Sequence, residues 1–114
     1  GVVSYTNEVK AGVLGVPQHL LDQFGAVSPE VARAMADGAR RLLGCDIALS
    51  TTGVAGPDAD DRGNPIGLVY LGLAWGDQCR VTEFRAGPVE RERVRRQAAQ
   101  TALDLLRRHL TGLD

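Results

Sequence analysis

A chain of 114 residues has room for one domain and a real core, and is small for an independent enzyme. Apolar residues make up 44% and charged residues 24%, as in ordinary globular proteins, and a net charge of −1 gives no bulk attraction to nucleic acid or to an anionic membrane. No run of 18 apolar residues marks a membrane span, and no basic region followed by a signal-like apolar stretch opens the chain; Cys45 and Cys79, read as free thiols, fit a reducing cytoplasm.

Gly1 to Thr6 is β-branched and aromatic enough for a short strand. It starts without polar lead-in and without an initiator Met, which reads as the start of a fragment. Asn7 can cap a short helix that carries Lys10, Val13 and Leu14 and stops at Gly15. Pro17 suits the first turn of a second helix, with Leu20, Leu21 and Phe24 on its apolar side and Gly25 as its stop.

Ser28-Pro29-Glu30 is a stronger helix start, combining an N-cap hydroxyl, proline at the first helical position and an acid in the first turn. Val31, Met35, Ala39 and Leu42 follow at helical spacing, Arg40 and Arg41 suit the last turn, and Gly44 closes it. Asp46 to Thr52 is a strand that runs into the hydroxyl- and glycine-rich stretch Ser50–Pro57. The acidic loop from Asp58 to Pro65 echoes the start of a calcium loop, but Val69 stands where the closing glutamate would be, so a solvated loop is expected. Gly67–Trp75 and Cys79–Phe84, joined by a tight turn at Gly76-Asp77, form an antiparallel hairpin. A last helix, Val89 to His109, has Val94, Ala98, Ala102, Leu106 and Leu110 as its stripe, widened by Leu103. Helical crossover between the first two strands makes them parallel, so the fold expected is a three-layer α/β/α sandwich on a mixed, mostly parallel sheet.

Four features carry possible chemistry. Gly53 and Gly56 lack Cβ atoms, so backbone N–H groups in this turn can approach a carbonyl oxygen or an anion; an ordinary strand-end turn explains the same residues. Lys10 is the only lysine among 13 basic residues. It falls on the same expected sheet edge as the turn, and partly desolvated it can activate a hydroxyl, whereas arginine cannot act as a base near neutral pH. Tyr5 and Asn7 flank the same strand end. Arg85, Arg91, Arg93, Arg95 and Arg96 cluster near the start of the last helix, where one or two can bind a phosphate or simply pair with Glu90 and Glu92. Cys45 and Cys79 have no metal-ligand spacing and read as buried free thiols; His19 and His109 read as isolated and solvent-facing. Neither a nucleic-acid motif nor aromatic interleaving of the arginines is present.

Val3–Lys10 (VSYTNEVK), Leu14–Pro17 (LGVP), Gly25–Ser28 (GAVS), Thr52–Pro57 (TGVAGP) and Pro65–Tyr70 (PIGLVY) together resemble the CinA C-terminal domain, over nearly the whole chain. Stand-alone members of that competence/damage-inducible family are nicotinamide mononucleotide deamidases. The resemblance implies an amidohydrolase that turns nicotinamide mononucleotide into nicotinate mononucleotide and ammonia, without metal or other cofactor. It also implies a homodimer and, in many members, fusion to an N-terminal domain with ADP-ribose pyrophosphatase activity. Lys10 matches the family lysine that is paired with a hydroxyl nucleophile, and Thr52 the hydroxyl position before the turn. Tyr5, Asn7, Gly53, Ala55 and Gly56 match substrate-side positions. Arg91 matches the arginine of a Gly-Asp-Arg segment, a phosphate contact, although Val89-Glu90 replaces the Gly-Asp here. The family's opening helix and strand, with its Glu-Ser-Cys-Thr-Gly-Gly and Gly-Ser-Ser segments, have no counterpart, so the nucleophile is expected before residue 1. The alternative is a catalytically incomplete dimerisation or nucleotide-binding module of a CinA protein, tied to competence or the DNA-damage response.

Overall fold

The computed structural model describes residues 1–113, in the order α1 (Asn7–Gly12), α2 (Gln18–Phe24), α3 (Pro29–Leu43), β1 (Ile47–Gly53), β2 (Leu68–Trp75), β3 (Gln78–Arg85) and α4 (Arg91–Thr111). α3 starts and stops on the residues that predict it. Ser28 is extended, its Oγ accepts from the Val31 N–H at 3.3 Å and donates to the Gly25 carbonyl oxygen at 2.9 Å, and Pro29 follows at the first helical position. Gly44 ends the helix in the left-handed region at φ 60°.

The sheet has the order β1-β2-β3. β1 pairs with β2 from Ile47↔Trp75 to Gly53↔Val69, and β2 with β3 from Leu68↔Arg85 to Trp75↔Gln78. Every pairing among the described residues is antiparallel, which corrects the mostly parallel sheet expected above. Its cause is residues 1–5: they form no strand, so there is no parallel partner for a crossover to reach. The β-propensity of Val2, Val3 and Tyr5 expresses fit to a pleated neighbour, and no described strand lies alongside to supply the ladder.

Helices nonetheless cover both faces of the sheet, giving the three α/β/α layers. α3 lies so close to one face that a Cβ on Gly72 would stand 2.7 Å from the Ala32 carbonyl oxygen, and Ser50 Oγ donates to that oxygen at 2.6 Å. Leu14, Val16 and Leu21 pack on Val31 and Met35 of α3. On the opposite face Val94, Ala98 and Ala102 of α4 pack on Val69 and Leu71. Full burial of side chains of this size contributes about 1.5–3 kcal/mol each for the larger ones.

Two details differ from expectation. Leu42, Leu103 and Leu110 are exposed, because the close α3–sheet and α4–sheet contacts are made by small residues and the leucines project beside them. His109 is not isolated: its ring lies 4.5 Å from that of Trp75, which also has the Arg80 guanidinium 5.9 Å from its centroid. The acidic loop is tied down by its own residues, with the Asp60 carboxylate accepting from the N–H groups of Arg62 and Asn64 and from Asn64 Nδ2. Both cysteines are free and half-buried.

Candidate active site

A cavity of about 750 Å³ opens along β1. All seven residues of β1 line it, those toward α3 and those toward α4 alike, and the side of the strand away from β2 carries no described partner strand. Residues 1–5 form the opposite wall. α3 contributes Met35 and Ala39 on one side, and α4 contributes Arg91, Val94 and Arg95 on the other.

Lys10 enters this space from a short helix. Thr6 caps α1 by accepting from the Val9 N–H at 3.2 Å, and Lys10 follows in the last turn as the only buried residue of the helix. Just 6% of the lysine is accessible. Its Nζ donates to the Ser4 carbonyl oxygen, and no carboxylate pairs with it among the described residues. Burial without a counter-ion disfavours the charged ammonium and lowers the Lys10 pKa from its ordinary value. An amine of this kind is a better base near neutral pH than a solvated one.

Thr52 is buried at the far end of β1, and its Oγ1 donates to the Ala26 carbonyl oxygen at 2.6 Å. The bond joins strand end to the Gly25–Ser28 segment, which places Ala26 and Val27 in the cavity wall. Thr52→Val removes the donor and leaves that carbonyl unpaired. We expect a loss of about 1–3 kcal/mol, seen as faster hydrogen exchange of the β1 amides. Gly53 follows where a Cβ would lie 2.8 Å from the Leu68 carbonyl oxygen, and Gly56 has φ 96°, so the turn's close course requires both glycines. The Val54 N–H is spent on the Leu68 carbonyl oxygen at 2.9 Å. Arg91 Nη1 reaches back from α4 to the Gly56 carbonyl oxygen at 3.0 Å.

Lys10, Tyr5, Thr52, Gly53, Ala55 and Arg91 thus line one cavity, although the parallel strand pair expected to unite them does not form. Gly56 joins them through Arg91. Asn7, at the exposed start of α1, is not part of the lining, and Tyr5 lines the cavity while 75% exposed. Two features had no signal in the sequence. The Ala26 carbonyl that receives Thr52 is a backbone group 26 residues away. Arg62 donates to the Leu21, Asp22 and Gln23 carbonyl oxygens at the end of α2, 39 to 41 residues away, and so clasps the loop after the turn onto that helix. Among the described residues no group of three His, Cys, Asp or Glu is placed to hold a metal ion, and no helix is long and apolar enough to cross a membrane.

Residues 1–110 match the family described as the CinA C-terminal domain. A "CinA-like protein" of Syntrophomonas wolfei is 53% identical over 109 residues, covering 96% of this chain and 26% of that protein. One of Geobacter sulfurreducens is 53% identical over 111 residues with the same coverage. The chain therefore spans about a quarter of the length of these relatives. Among solved structures, the competence/damage inducible protein CihA from Agrobacterium tumefaciens superposes with a TM-score of 0.86 at 37% identity, over 91% of this chain and 64% of the other. The competence damage-inducible protein A from Klebsiella pneumoniae gives a TM-score of 0.93 at 32% identity, over 97% and 68%.

Proposed function

This chain belongs to the CinA C-terminal domain family, and on that basis we propose that it supplies the base and the substrate wall of an amidohydrolase acting on nicotinamide mononucleotide. The observation that carries the proposal is Lys10, the only lysine of the chain, buried without a carboxylate partner among the described residues in a cavity that a glycine-rich turn also lines.

The hydroxyl nucleophile would come from residues outside these 114, laid along the open edge of β1. Its proton passes to Lys10 Nζ as its oxygen bonds to the carboxamide carbon. Amides of the Gly53–Gly56 turn would steady the oxyanion, a contribution of about 3–4 kcal/mol per donor; support for this is that among the described residues the Ala55 and Gly56 N–H groups have no backbone partner. Breakage of the C–N bond returns the proton to the departing nitrogen, which leaves as ammonia. Water, activated by the same lysine, then releases nicotinate mononucleotide and restores the hydroxyl. A guanidinium of α4 would hold the 5′-phosphate, so that binding energy far from the amide orients it. In the cell this would be a cytoplasmic, homodimeric enzyme of pyridine-nucleotide salvage, in many cases fused to a pyrophosphatase domain.

Ammonia release from nicotinamide mononucleotide by the full-length protein tests the assignment. Turnover with stoichiometric nicotinate mononucleotide is expected; binding of the mononucleotide without ammonia would instead favour a nucleotide-binding module. That second reading has one observation behind it: the buried hydroxyls of Ser50 and Thr52 are both donated to backbone carbonyls, so neither stands ready as a nucleophile.

A further inference from the structure

Arg91 and Arg95 stand one turn apart on α4 and both line the cavity, yet they are committed differently. Arg91 donates to the Gly56 carbonyl oxygen at 3.0 Å, so its guanidinium ties the start of the helix to the turn. Arg95 reaches only Glu92 among the described residues, at 3.7 Å, with the two side chains 54% and 70% exposed. Pairs of this kind, three residues apart and solvated, are worth a few tenths of a kcal/mol. An incoming phosphate displaces Glu92 with little loss and meets all the N–H groups of Arg95, whereas Arg91 already spends one of its N–H groups on Gly56 and is held at the turn by that bond.

We propose that Arg95 is the residue that recognises a phosphate monoester in this cavity, and that Arg91 is a positioning residue that holds the Gly53–Pro57 turn. The division deepens the amidase reading and rests on it for the rest of the ligand. A guanidinium offers two parallel N–H groups to two phosphate oxygens, and Val94 and Ala98 on the same face of α4 make that wall otherwise apolar, which reduces competition from water. Loss of Arg95 therefore acts on phosphorylated ligands alone. Loss of Arg91 moves the turn and acts on every ligand that uses it.

Calorimetric binding of nicotinamide mononucleotide and nicotinamide riboside to the full-length protein separates these roles. Arg95→Gln is expected to weaken the mononucleotide roughly ten- to a hundredfold while leaving the riboside unchanged, with partial recovery in Arg95→Lys. Arg91→Gln is expected to weaken both ligands in similar proportion. The assignment is overturned if Arg95→Gln leaves the mononucleotide-to-riboside ratio at its wild-type value, if Arg91→Gln alone collapses that ratio, or if wild type shows no preference for the phosphorylated ligand. An Arg95-dependent preference in a protein that releases no ammonia supports this inference and removes the amidase reading.

Discussion

Lys10→Met in the full-length protein is expected to lower ammonia release from nicotinamide mononucleotide by at least about a hundredfold, the usual contribution of a positioned general base. Methionine keeps the length and apolar stem of lysine, so the variant removes the amine with little change in packing. Binding of the mononucleotide should survive, because the amine acts on the hydroxyl and the phosphate is held elsewhere. Turnover within a few-fold of wild type would remove Lys10 from the chemistry.

The same substitution has a predicted effect on stability, of opposite sign. Burial lowers the folded-state pKa of Lys10 below the 10.5 it has in the unfolded chain. Between those two values the unfolded chain binds the extra proton, so stability rises with pH in that window. Below it both states are protonated, and the folded protein bears the whole cost of a buried ammonium. Lys10→Met should therefore be more stable than wild type at neutral pH, and the gap should close as pH climbs toward 10.5. In activity, the log of kcat/KM should rise with pH until Lys10 is neutral, then level. A stability gap that stays constant from neutral pH to 10.5 would show that the ammonium is not desolvated. A residue that destabilises the fold where a base is needed is the usual exchange of stability for activity.

Lys10 also shows how much of the site was legible in the sequence. A single lysine near a glycine-rich turn is visible in the residues, and so is the helix that presents it. The route by which lysine and turn meet is not. Val2, Val3 and Tyr5 have strand propensity, but pairing is a property of two segments, and residues 1–5 have no described partner for a ladder. α3 and the β2–β3 hairpin were legible because their signals are local: Ser28-Pro29 at one end, Gly44 at the other, and Gly76 in a tight turn. α4 was legible as a helix but not in its depth of burial. Val94, Ala98 and Ala102 are buried, while Leu103 and Leu110 on the neighbouring rows are 62% and 65% exposed, and a helical wheel alone does not say how wide the covered stripe will be. The bonds of Arg62 and Thr52 were out of reach because their acceptors are backbone carbonyls, which have no residue type to recognise.

Gly38→Ala is expected to destabilise the domain by about 1–3 kcal/mol, although alanine is favoured over glycine by about 1 kcal/mol inside a helix. Gly38 lies within α3, and a Cβ there would stand 1.8 Å from the carbonyl oxygen of Leu14 and 2.9 Å from its carbon. Both are backbone atoms, so no rotamer change relieves the overlap, and α3 has to move away from the segment after α1. That movement opens the cluster of Leu14, Val16, Leu21, Val31 and Met35. It also reaches the site, because the Val16 N–H is bonded to the Lys10 carbonyl oxygen at 3.0 Å, and the strand end is joined to Ala26 through Thr52. Gly12→Ala is the matched control: it lies in α1 with nothing within 4 Å of its would-be Cβ, and should leave stability unchanged or raise it by up to about 1 kcal/mol. Native-state hydrogen exchange of the α3 amides reads the difference in the full-length protein. If Gly38→Ala protects those amides as well as wild type, the α3–Leu14 contact is looser than described and does not set the position of Lys10. If protection falls as expected and ammonia release falls with it while Gly12→Ala lowers neither, the packing of one helical glycine is what holds Lys10 in the cavity that the turn lines.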